Sequence, residues 1–399
     1  MTSERAVIVG ASHAGAQLAG NLRREGWSGE VVLIGDEGGL PYHRPPLSKG
    51  YLAGKNGLDD LLIRGADFYE KQHIRLLNAT VEAIHRSAKR VSLSTGDTLT
   101  YTKLALCTGA RARRLPTPGV DLPGIHYLRT AADVELIRAA ATPGRRVVIV
   151  GGGYIGLETA ASLCSLGMNV TVLEATERVL ERVTAPEVSA FYTRIHNGEG
   201  VEIRTHALVE AFSGNGRVQE VVLAGGEPIP ADLVIVGVGV VPNTELASAA
   251  GLSVDNGIVI DDQARTSDPD IVAAGDCTSH TMARYGSRIR LESVSSAGEQ
   301  AKIAAATICG KHSAIAALPW FWSDQYDLKL QIAGLNAGYD EVLLSGDPSR
   351  ERDFSCFYFR ESELIAADCV NRPRDFMSSK RAISQQLRVD RSELLAGSI

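Results

Sequence analysis

Several features that mark whole classes of protein are missing from this sequence. No run of about 18 apolar residues, the length needed to cross a membrane, occurs in its 399 residues. There is no excess of positive charge, because the net charge is −6, and this argues against attraction to nucleic acid or anionic membranes. The N-terminal segment MTSERAVIVG leads directly into a strand and lacks a signal-peptide layout. We therefore expect a soluble cytoplasmic protein with neither a nucleic-acid nor a membrane partner.

Cysteine patterns are absent as well. The six cysteines are scattered, with no CxxC pair and no spacing typical of metal ligands, and we interpret them as buried small apolar side chains. The sequence therefore predicts no metal site and no disulfide framework. Aromatic residues make up only 6%, whereas glycine occurs 40 times, as expected where backbone approaches cofactors closely.

Two glycine-rich motifs each follow a β-branched run and precede an alanine-rich segment. Their glycines are Gly10 and Gly15 in AVIVGASHAG, and Gly151, Gly153 and Gly156 in VVIVGGGYIG. This pattern is typical of a βαβ unit that binds a dinucleotide with its pyrophosphate at the helix N-terminus. Ser12 replaces the middle glycine of the first motif, so we expect the close approach of the backbone to a pyrophosphate to be strained there but not excluded. The sequence predicts two dinucleotide sites.

Acidic residues end the second strand of both units. Asp36 follows the first motif, and Glu174 lies 18 positions after Gly156, where a carboxylate can accept hydrogen bonds from ribose hydroxyls. A carboxylate at Glu174 repels a 2′-phosphate, which favours NADH over NADPH. Arg178 and Arg182 follow closely and leave some NADPH use open.

The order of the predicted elements indicates an α/β protein of three domains. We expect a split domain at 1–114 and 243–318, an inserted domain at 115–242, and a C-terminal α+β domain at 319–399. In the last of these, FSCFYF and LIAADCV alternate like antiparallel strands, and Pro373 opens a helix. The proline-rich segment PYHRPPLSKGYL predicts a rigid loop that fixes two cations, Arg44 and Lys49.

The motifs GxSxxG, PPLSK, TGARxR, GGGYIGLE, VGVxPN, AAGDC and PWFWSDQ occur in this order over nearly the whole chain. In this the sequence resembles the flavin-dependent ferredoxin and rubredoxin reductases. The resemblance implies a glutathione-reductase-like fold with two Rossmann-type domains. It places FAD in the split domain and NADH in the inserted one.

The resemblance also implies site residues. Lys49, Glu158 and Trp322 are expected beside the reacting part of the flavin. The residues implied around FAD are Gly10, Ser12, His13, Ala14, Gly15, Asp36, Arg44, Lys49, Val81, Arg129, Asp276, Val294 and Trp320. Those implied around NADH are Gly151, Gly153, Tyr154, Ile155, Gly156, Glu158, Glu174, Arg182, Gly237 and Glu292. The cations expected to contact a protein partner are Arg64, Lys302, Lys329 and Arg372.

Other interpretations of single residues stay open from the sequence. Glu158 could be a charge on a solvated helix face, and Trp320 and Trp322 could be core packing rather than a platform beside the flavin.

The resemblance implies hydride transfer from NADH to flavin N5, followed by one-electron transfer to a 2Fe–2S ferredoxin. That ferredoxin would feed a haem monooxygenase or a ring-hydroxylating dioxygenase. The alternatives are a monodehydroascorbate reductase, an NADH oxidase or peroxidase, a nitrite reductase flavin subunit, or a non-catalytic flavoprotein that senses NADH or binds a partner. No cysteine lies between positions 16 and 106, where disulfide- and peroxide-reducing flavoenzymes carry a redox cysteine. This disfavours the oxidase and peroxidase alternatives.

Overall fold

A computed structural model of the protein describes residues 4–395. Up to residue 112 the α-helices and strands, in chain order, are β1 (Arg5–Val9), α1 (His13–Glu25), β2 (Glu30–Gly35), α2 (Ala66–Lys71), β3 (Ile74–Asn78), β4 (Val81–His85), β5 (Arg90–Leu93), β6 (Thr98–Thr100), β7 (Lys103–Leu106) and β8 (Ala110–Ala112). From residue 125 to 242 they are β9 (Ile125–Tyr127), α3 (Ala131–Ala140), β10 (Arg146–Val150), α4 (Tyr154–Ser165), β11 (Asn169–Leu173), α5 (Pro186–Gly198), β12 (Glu202–Arg204), β13 (Val209–Ser213), β14 (Glu220–Leu223), β15 (Ile229–Pro230), β16 (Leu233–Val236) and β17 (Val240–Pro242). The remainder are α6 (Glu245–Ala249), β18 (Ile258–Ile260), β19 (Ile271–Ala273), β20 (Thr278–Met282), β21 (Ser287–Ile289), α7 (Val294–Ile308), β22 (Trp320–Gln325), β23 (Leu328–Gly334), β24 (Glu341–Ser345), β25 (Phe354–Arg360), β26 (Glu363–Val370), α8 (Pro373–Gln385) and α9 (Arg391–Leu395).

The chain folds into two compact units. The first contains the residues up to His43, Asp59–Arg111 and Val241–Pro319, and the second contains Arg44–Leu58, Ala112–Val240 and the residues from Trp320 onward. None of the helices within residues 4–395 combines the length and the apolar character that a membrane crossing requires.

The first unit is built on a parallel sheet with the strand order β19-β7-β1-β2-β3. Its central strands are apolar runs such as Ala6–Val9 that are buried, as expected for a parallel sheet covered on both faces. Helix α1 packs against α7 and ends at Gly26, whose left-handed backbone closes the helix. Two smaller three-stranded sheets, β4-β5-β6 and β18-β20-β21, complete this unit.

The second unit contains a parallel sheet with the order β12-β11-β10-β16-β9. This order repeats that of the first unit, with β10 and α4 in the places of β1 and α1. The same unit contains the small antiparallel sheet β13-β14-β15. Each glycine motif therefore joins the central strand of a parallel sheet to the helix that follows it.

The C-terminal part of the second unit is an antiparallel sheet with the order β22-β23-β26-β25-β24. Helix α8 packs against β26 and β23, and it begins at Pro373 as the sequence predicts. Strands β25 and β26 are buried along nearly their whole length. They correspond to the alternating segments FSCFYF and LIAADCV.

The glutathione-reductase-like α/β fold predicted from the sequence is confirmed. Helix α7 begins at Val294, because Ser293 caps it by accepting a hydrogen bond from the Ser296 backbone N–H. The division into three domains stays a prediction. Its outer limits include residues 1–3 and 396–399, which lie outside the described residues.

Candidate functional site: two nucleotide loops and a buried ion pair

The loop between β10 and α4 has the backbone that a pyrophosphate requires. Gly151 has φ +112°, and a Cβ atom there would lie 2.4 Å from the carbonyl oxygen of Gly237. A Cβ at Gly156 would lie 2.0 Å from the carbonyl oxygen of Gly151, so strand and helix meet here through backbone alone. Gly153 provides no side-chain cap for α4, and the space beside it is open. The first N–H groups of α4 can therefore receive an anionic ligand.

Glu174 lies at the edge of this loop, directly after β11. Its Oε2 accepts a hydrogen bond from the Gly152 backbone N–H at 2.8 Å, and its Oε1 accepts from the Thr176 N–H and hydroxyl at 3.0 Å. The carboxylate is half-buried and oriented by these donors, where the sequence places a ribose contact. Arg178, by contrast, donates to the Thr184 carbonyl and the Ser189 hydroxyl, so its guanidinium is used within the protein.

The first unit repeats this geometry with a serine in the middle position. Gly10 has φ +109°, and a Cβ at Gly15 would lie 2.0 Å from the Gly10 carbonyl oxygen. Ser12 has φ −119° and ψ −153°, an extended backbone that any residue adopts, so the missing glycine causes no backbone strain. Its side chain does not cap α1. This loop therefore fits a second pyrophosphate, which agrees with FAD.

Three predicted FAD residues, His13, Ala14 and Asp276, are brought together beside the N-terminus of α1. His13 lies with its ring centroid 5.3 Å from that of His43, and Asp276 is close enough to act on its charge. Burial, followed by repulsion from His43, lowers the pKa of His13 to about 4, and Asp276 opposes this shift. His13 is therefore neutral near pH 7, and its buried Nδ1 has no hydrogen-bond partner within residues 4–395. A polar atom buried in this way fits a site that a bound cofactor completes. Ala14 is buried beside Gly275.

The second unit holds the Lys49–Glu158 pair as the resemblance implies. Lys49 Nζ lies 2.7 Å from Glu158 Oε2, and the Glu158 side chain is only 1% exposed. The solvated-face interpretation of Glu158 is therefore wrong. Ser48 donates to the same Oε2 at 2.6 Å, and Ser323 donates to Oε1 at 2.6 Å. A buried carboxylate is costly unless it is paired and hydrogen-bonded, and here both oxygens have donors.

Successive side chains of the PWFWSDQ segment lie on opposite faces of strand β22. Phe321 lies 5.1 Å from the ring of Tyr154, and Ser323 reaches Glu158 on that same face. Trp320 and Trp322 lie on the other face with their rings stacked 5.5 Å apart. This alternation follows from the two-residue period of a strand.

The two tryptophans have different neighbours. Phe376 lies 6.0 Å from the Trp320 ring, and Lys380 Nζ lies 4.8 Å from it. Trp320 thus packs against α8, and Trp322 is half-buried next to Trp320 and Phe321. Their contact with a flavin stays a prediction.

The other predicted nucleotide residues lie as follows. Arg44 donates to the Arg129 carbonyl at 2.8 Å, so these two come together within the second unit. Asp36 is exposed after β2, Val81 is buried at the start of β4, and Val294 is the first residue of α7. Ile155 is 44% exposed in the first turn of α4, Gly237 lies against Gly151, Arg182 is exposed, and Glu292 belongs to the first unit and pairs with Arg290.

The predicted partner-binding cations are distributed over both units. Lys329 and Arg372 lie at one end of the C-terminal sheet, where the Asn371 N–H donates to the Lys329 carbonyl. Arg372 is bound to Asp353 at 2.8 Å, so part of its charge is compensated, whereas Lys329 is exposed. Arg64 and Lys302 are exposed residues of the first unit.

Sequence reasoning missed Ser48 and Ser323, the two hydroxyl donors to Glu158. Both stand inside motifs of the family, PPLSK and PWFWSDQ. The alternation of β22 places Ser323 opposite the tryptophans, and this is the signal that could have found it. The partner of Ser323 could not be inferred from the sequence, because Glu158 lies 165 positions away and no sequence pattern links the two residues.

Two thiols of the first unit have low reactivity. Cys107 and Cys277 are buried, and burial raises the pKa of both above the ordinary value for a thiol. A thiol with a raised pKa is a poor nucleophile and a poor redox centre.

Comparison with known proteins identifies the family. The pyridine nucleotide-disulphide oxidoreductase family matches residues 4–301, and the reductase C-terminal family matches residues 320–398. The chain is 47% identical over 395 residues to putidaredoxin reductase from Pseudomonas putida, covering 97% of this chain and 93% of that protein. It is 42% identical to the ferredoxin–NAD(+) reductase component of the anthranilate 1,2-dioxygenase system from Burkholderia cepacia, covering 99% of this chain and 97% of that protein. The crystal structure of the covalent putidaredoxin reductase–putidaredoxin complex matches with a TM-score of 0.95 and 45% identity, covering 99% of each chain. The chain therefore belongs to the pyridine nucleotide-disulphide oxidoreductases, and among them to the ferredoxin and rubredoxin reductases, flavoprotein oxidoreductases that use FAD and NAD(P)H.

Proposed function

We propose that this protein carries electrons from NADH, through bound FAD, to a 2Fe–2S ferredoxin that supplies an oxygenase. The observation that carries the proposal is the pair of glycine loops with the same backbone geometry, one in each unit. Each loop suits one dinucleotide pyrophosphate, so the chain can hold its nicotinamide donor and its flavin at the same time. When bound, FAD accepts an electron pair from NADH and passes single electrons to a ferredoxin.

The residues of the chain would bind, orient and balance charge rather than exchange protons with the substrate. Glu174 would accept the ribose hydroxyls of NADH and oppose a 2′-phosphate. Lys49, fixed by Glu158, would supply a positive charge beside the reduced flavin. We expect the protein in the cytoplasm, where NADH is available as the electron source.

An external electron acceptor is favoured by the state of the cysteines. The buried Cys107 and Cys277 have raised pKa values, and no cysteine lies between positions 16 and 106 to relay electrons near the first loop. Among the relatives, putidaredoxin reductase is known in covalent complex with putidaredoxin, and another relative belongs to a dioxygenase system. We infer the same kind of partner for this chain.

The test is NADH-driven reduction of cytochrome c through an added 2Fe–2S ferredoxin. Exposed cations that attract an acidic ferredoxin are screened over about 8 Å at physiological ionic strength. Turnover should therefore fall steeply with added salt, while reduction of the flavin by NADH changes little.

Charge reversal identifies the docking cations in the same assay. Lys329→Glu and Lys302→Glu should raise the KM for ferredoxin and leave the KM for NADH unchanged. Lys71→Glu is the control, because Lys71 is also exposed but pairs with Asp67 on α2. If no 2Fe–2S ferredoxin accelerates turnover at any salt concentration, the proposed function is wrong.

A further inference from the structure

A chain of buried hydrogen bonds continues from Glu158 into the hairpin of β22 and β23. Ser323 Oγ lies 2.6 Å from Glu158 Oε1, and Gln325 Nε2 lies 3.1 Å from Ser323 Oγ. Gln325 Oε1 lies 2.8 Å from His196 Nε2, and His196 Nδ1 lies 3.1 Å from the Tyr326 hydroxyl. The first four members are at most 1% exposed, so water does not substitute for these partners.

The chemistry of Glu158 sets the direction of the first three bonds in this chain. An ionised carboxylate only accepts hydrogen bonds, so the Ser323 hydroxyl must donate to it. The Ser323 oxygen then accepts from the Gln325 amide, whose carbonyl accepts from the His196 Nε2–H. Burial lowers the pKa of His196, which favours the neutral ring. In a neutral ring with its proton on Nε2, Nδ1 accepts from the Tyr326 hydroxyl.

The two carboxylate oxygens of Glu158 have partners from different segments. Lys49 pairs with Oε2 and Ser48 donates a hydrogen bond to it, and these two residues are neighbours in the PPLSK loop. Ser323, from the C-terminal sheet, donates a hydrogen bond to Oε1. A fixed donor on Oε1 keeps the carboxylate plane turned so that Oε2 faces Lys49.

We propose that Ser323 is a positioning residue, which the Gln325–His196–Tyr326 chain orients so that the carboxylate of Glu158 stays directed at Lys49. Its consequence for electron transfer rests on the proposed function, whereas its effect on Glu158 does not. The C-terminal sheet would thereby help to set the geometry of the Lys49–Glu158 pair.

The first test is the rate of flavin reduction by NADH in the holoenzyme. Ser323→Ala removes one hydrogen bond to a buried charged group, and the rate should fall at least about tenfold while the KM for NADH stays the same. Ser323→Thr keeps the hydroxyl and should recover most of the rate. The matched control is Ser355→Ala, because Ser355 is also buried on the C-terminal sheet and donates to a carboxylate, Asp375, at 2.7 Å. That variant should retain the wild-type rate.

The second test reads the carboxyl group itself by infrared difference spectroscopy of Ser323→Ala against wild type. We expect the carboxylate stretching bands of Glu158 to shift, because the carboxylate loses one hydrogen bond, and this difference should vanish when both proteins also carry Glu158→Gln. An infrared spectrum identical to that of wild type, or a rate no lower than that of Ser355→Ala, would overturn the proposal. Failure of the ferredoxin assay in the wild type would instead reject the proposed function, and the infrared result would still decide the role of Ser323.

Discussion

Two carboxylates of the second unit have contrasting surroundings. Glu174 is half-buried and receives backbone N–H groups from Gly152 and Thr176. Asp368 is completely buried and accepts from the hydroxyls of Thr184, at 2.6 Å, and Tyr358. Glu174 can therefore act as a fixed anion towards a ligand, whereas Asp368 carries a charge that the interior disfavours.

Replacing Glu174 by alanine should narrow the preference for NADH over NADPH. Loss of a hydrogen-bonded charged partner for the ribose costs about 1.5–3 kcal/mol, so the ratio of the two kcat/KM values should fall by at least about tenfold. Glu177→Ala is the control, because Glu177 is an exposed acid of the same segment. Equal kcat/KM values for both nucleotides in the wild-type protein would refute this role of Glu174.

Asp368 makes the stability of the protein depend on pH. Burial raises the pKa of Asp368 from 3.8 to about 6, although the hydrogen bonds from Thr184 and Tyr358 oppose the shift. The folded state then holds this proton at a pH where the unfolded chain has lost it, so stability is lost as the pH rises through about 6. At neutral pH the cost is about 3 kcal/mol, from a pKa difference of 6 − 3.8 at 1.36 kcal/mol per pKa unit.

Asp368→Asn should remove this pH dependence, because an amide oxygen can accept the same two hydroxyl bonds without a charge. The measurement is the thermal unfolding midpoint of both proteins between pH 4 and 7. The difference in favour of the variant should grow as the pH rises to about 6 and then level off, because Asp368 is ionised in both the folded and the unfolded state above that pH. A difference that stays constant over this range would show that Asp368 titrates normally.

Much of the site was predictable at the residue scale, but not all of it. The glycines, Glu174, Lys49 and Glu158 stand in motifs whose residue types and spacing already indicate their chemistry. Ser323 and Gln325 also stand in a motif, PWFWSDQ, but their importance comes from the buried polar partners that the fold brings to them, and the motif does not indicate these partners. The low pKa of His13 likewise depends on its burial and on His43, 30 positions away in the sequence.

At the scale of elements, the strand–loop–helix units were the most predictable part of the fold. Continuous apolar runs such as RVVIV predict buried parallel strands, and the glycine motif ends each of them sharply. Strand β22 was harder to predict. Each of its faces carries aromatic and polar side chains, so the usual alternation of apolar and polar residues is missing. The sequence therefore did not predict that alternate residues of β22 contact two different surfaces.

The β10–α4 loop allows a matched pair of glycine substitutions. Gly151→Ala places a Cβ atom 2.4 Å from the Gly237 carbonyl oxygen at a φ of +112°, so it should distort the loop and abolish reduction by NADH. FAD content should be unchanged, because the corresponding FAD loop is built separately around Gly10. Gly153→Ala meets no atom within 4 Å, so it should fold normally and raise only the KM for NADH.

The pair is measured by FAD absorbance, circular dichroism and NADH kinetics. If Gly151→Ala reduces its flavin with wild-type kinetics, the β10–α4 loop does not bind the nicotinamide nucleotide.

At the scale of the whole molecule, the chain repeats one nucleotide-binding design and adds an antiparallel sheet. The strand order β3-β2-β1-β7-β19 of the first unit corresponds to β12-β11-β10-β16-β9 of the second. Two such sites bring a two-electron donor and a flavin into one protein, and the antiparallel sheet contributes Ser323 to the Lys49–Glu158 pair. The three-domain division by residue ranges stays a prediction.

The most direct test of the electron route is an anaerobic titration of the yellow holoenzyme. One equivalent of NADH should bleach the flavin absorbance. Oxidised 2Fe–2S ferredoxin should then restore it at about two ferredoxins per flavin, because NADH gives two electrons and each ferredoxin takes one. A flavin that is bleached by NADH but is not reoxidised by any 2Fe–2S ferredoxin would contradict this route.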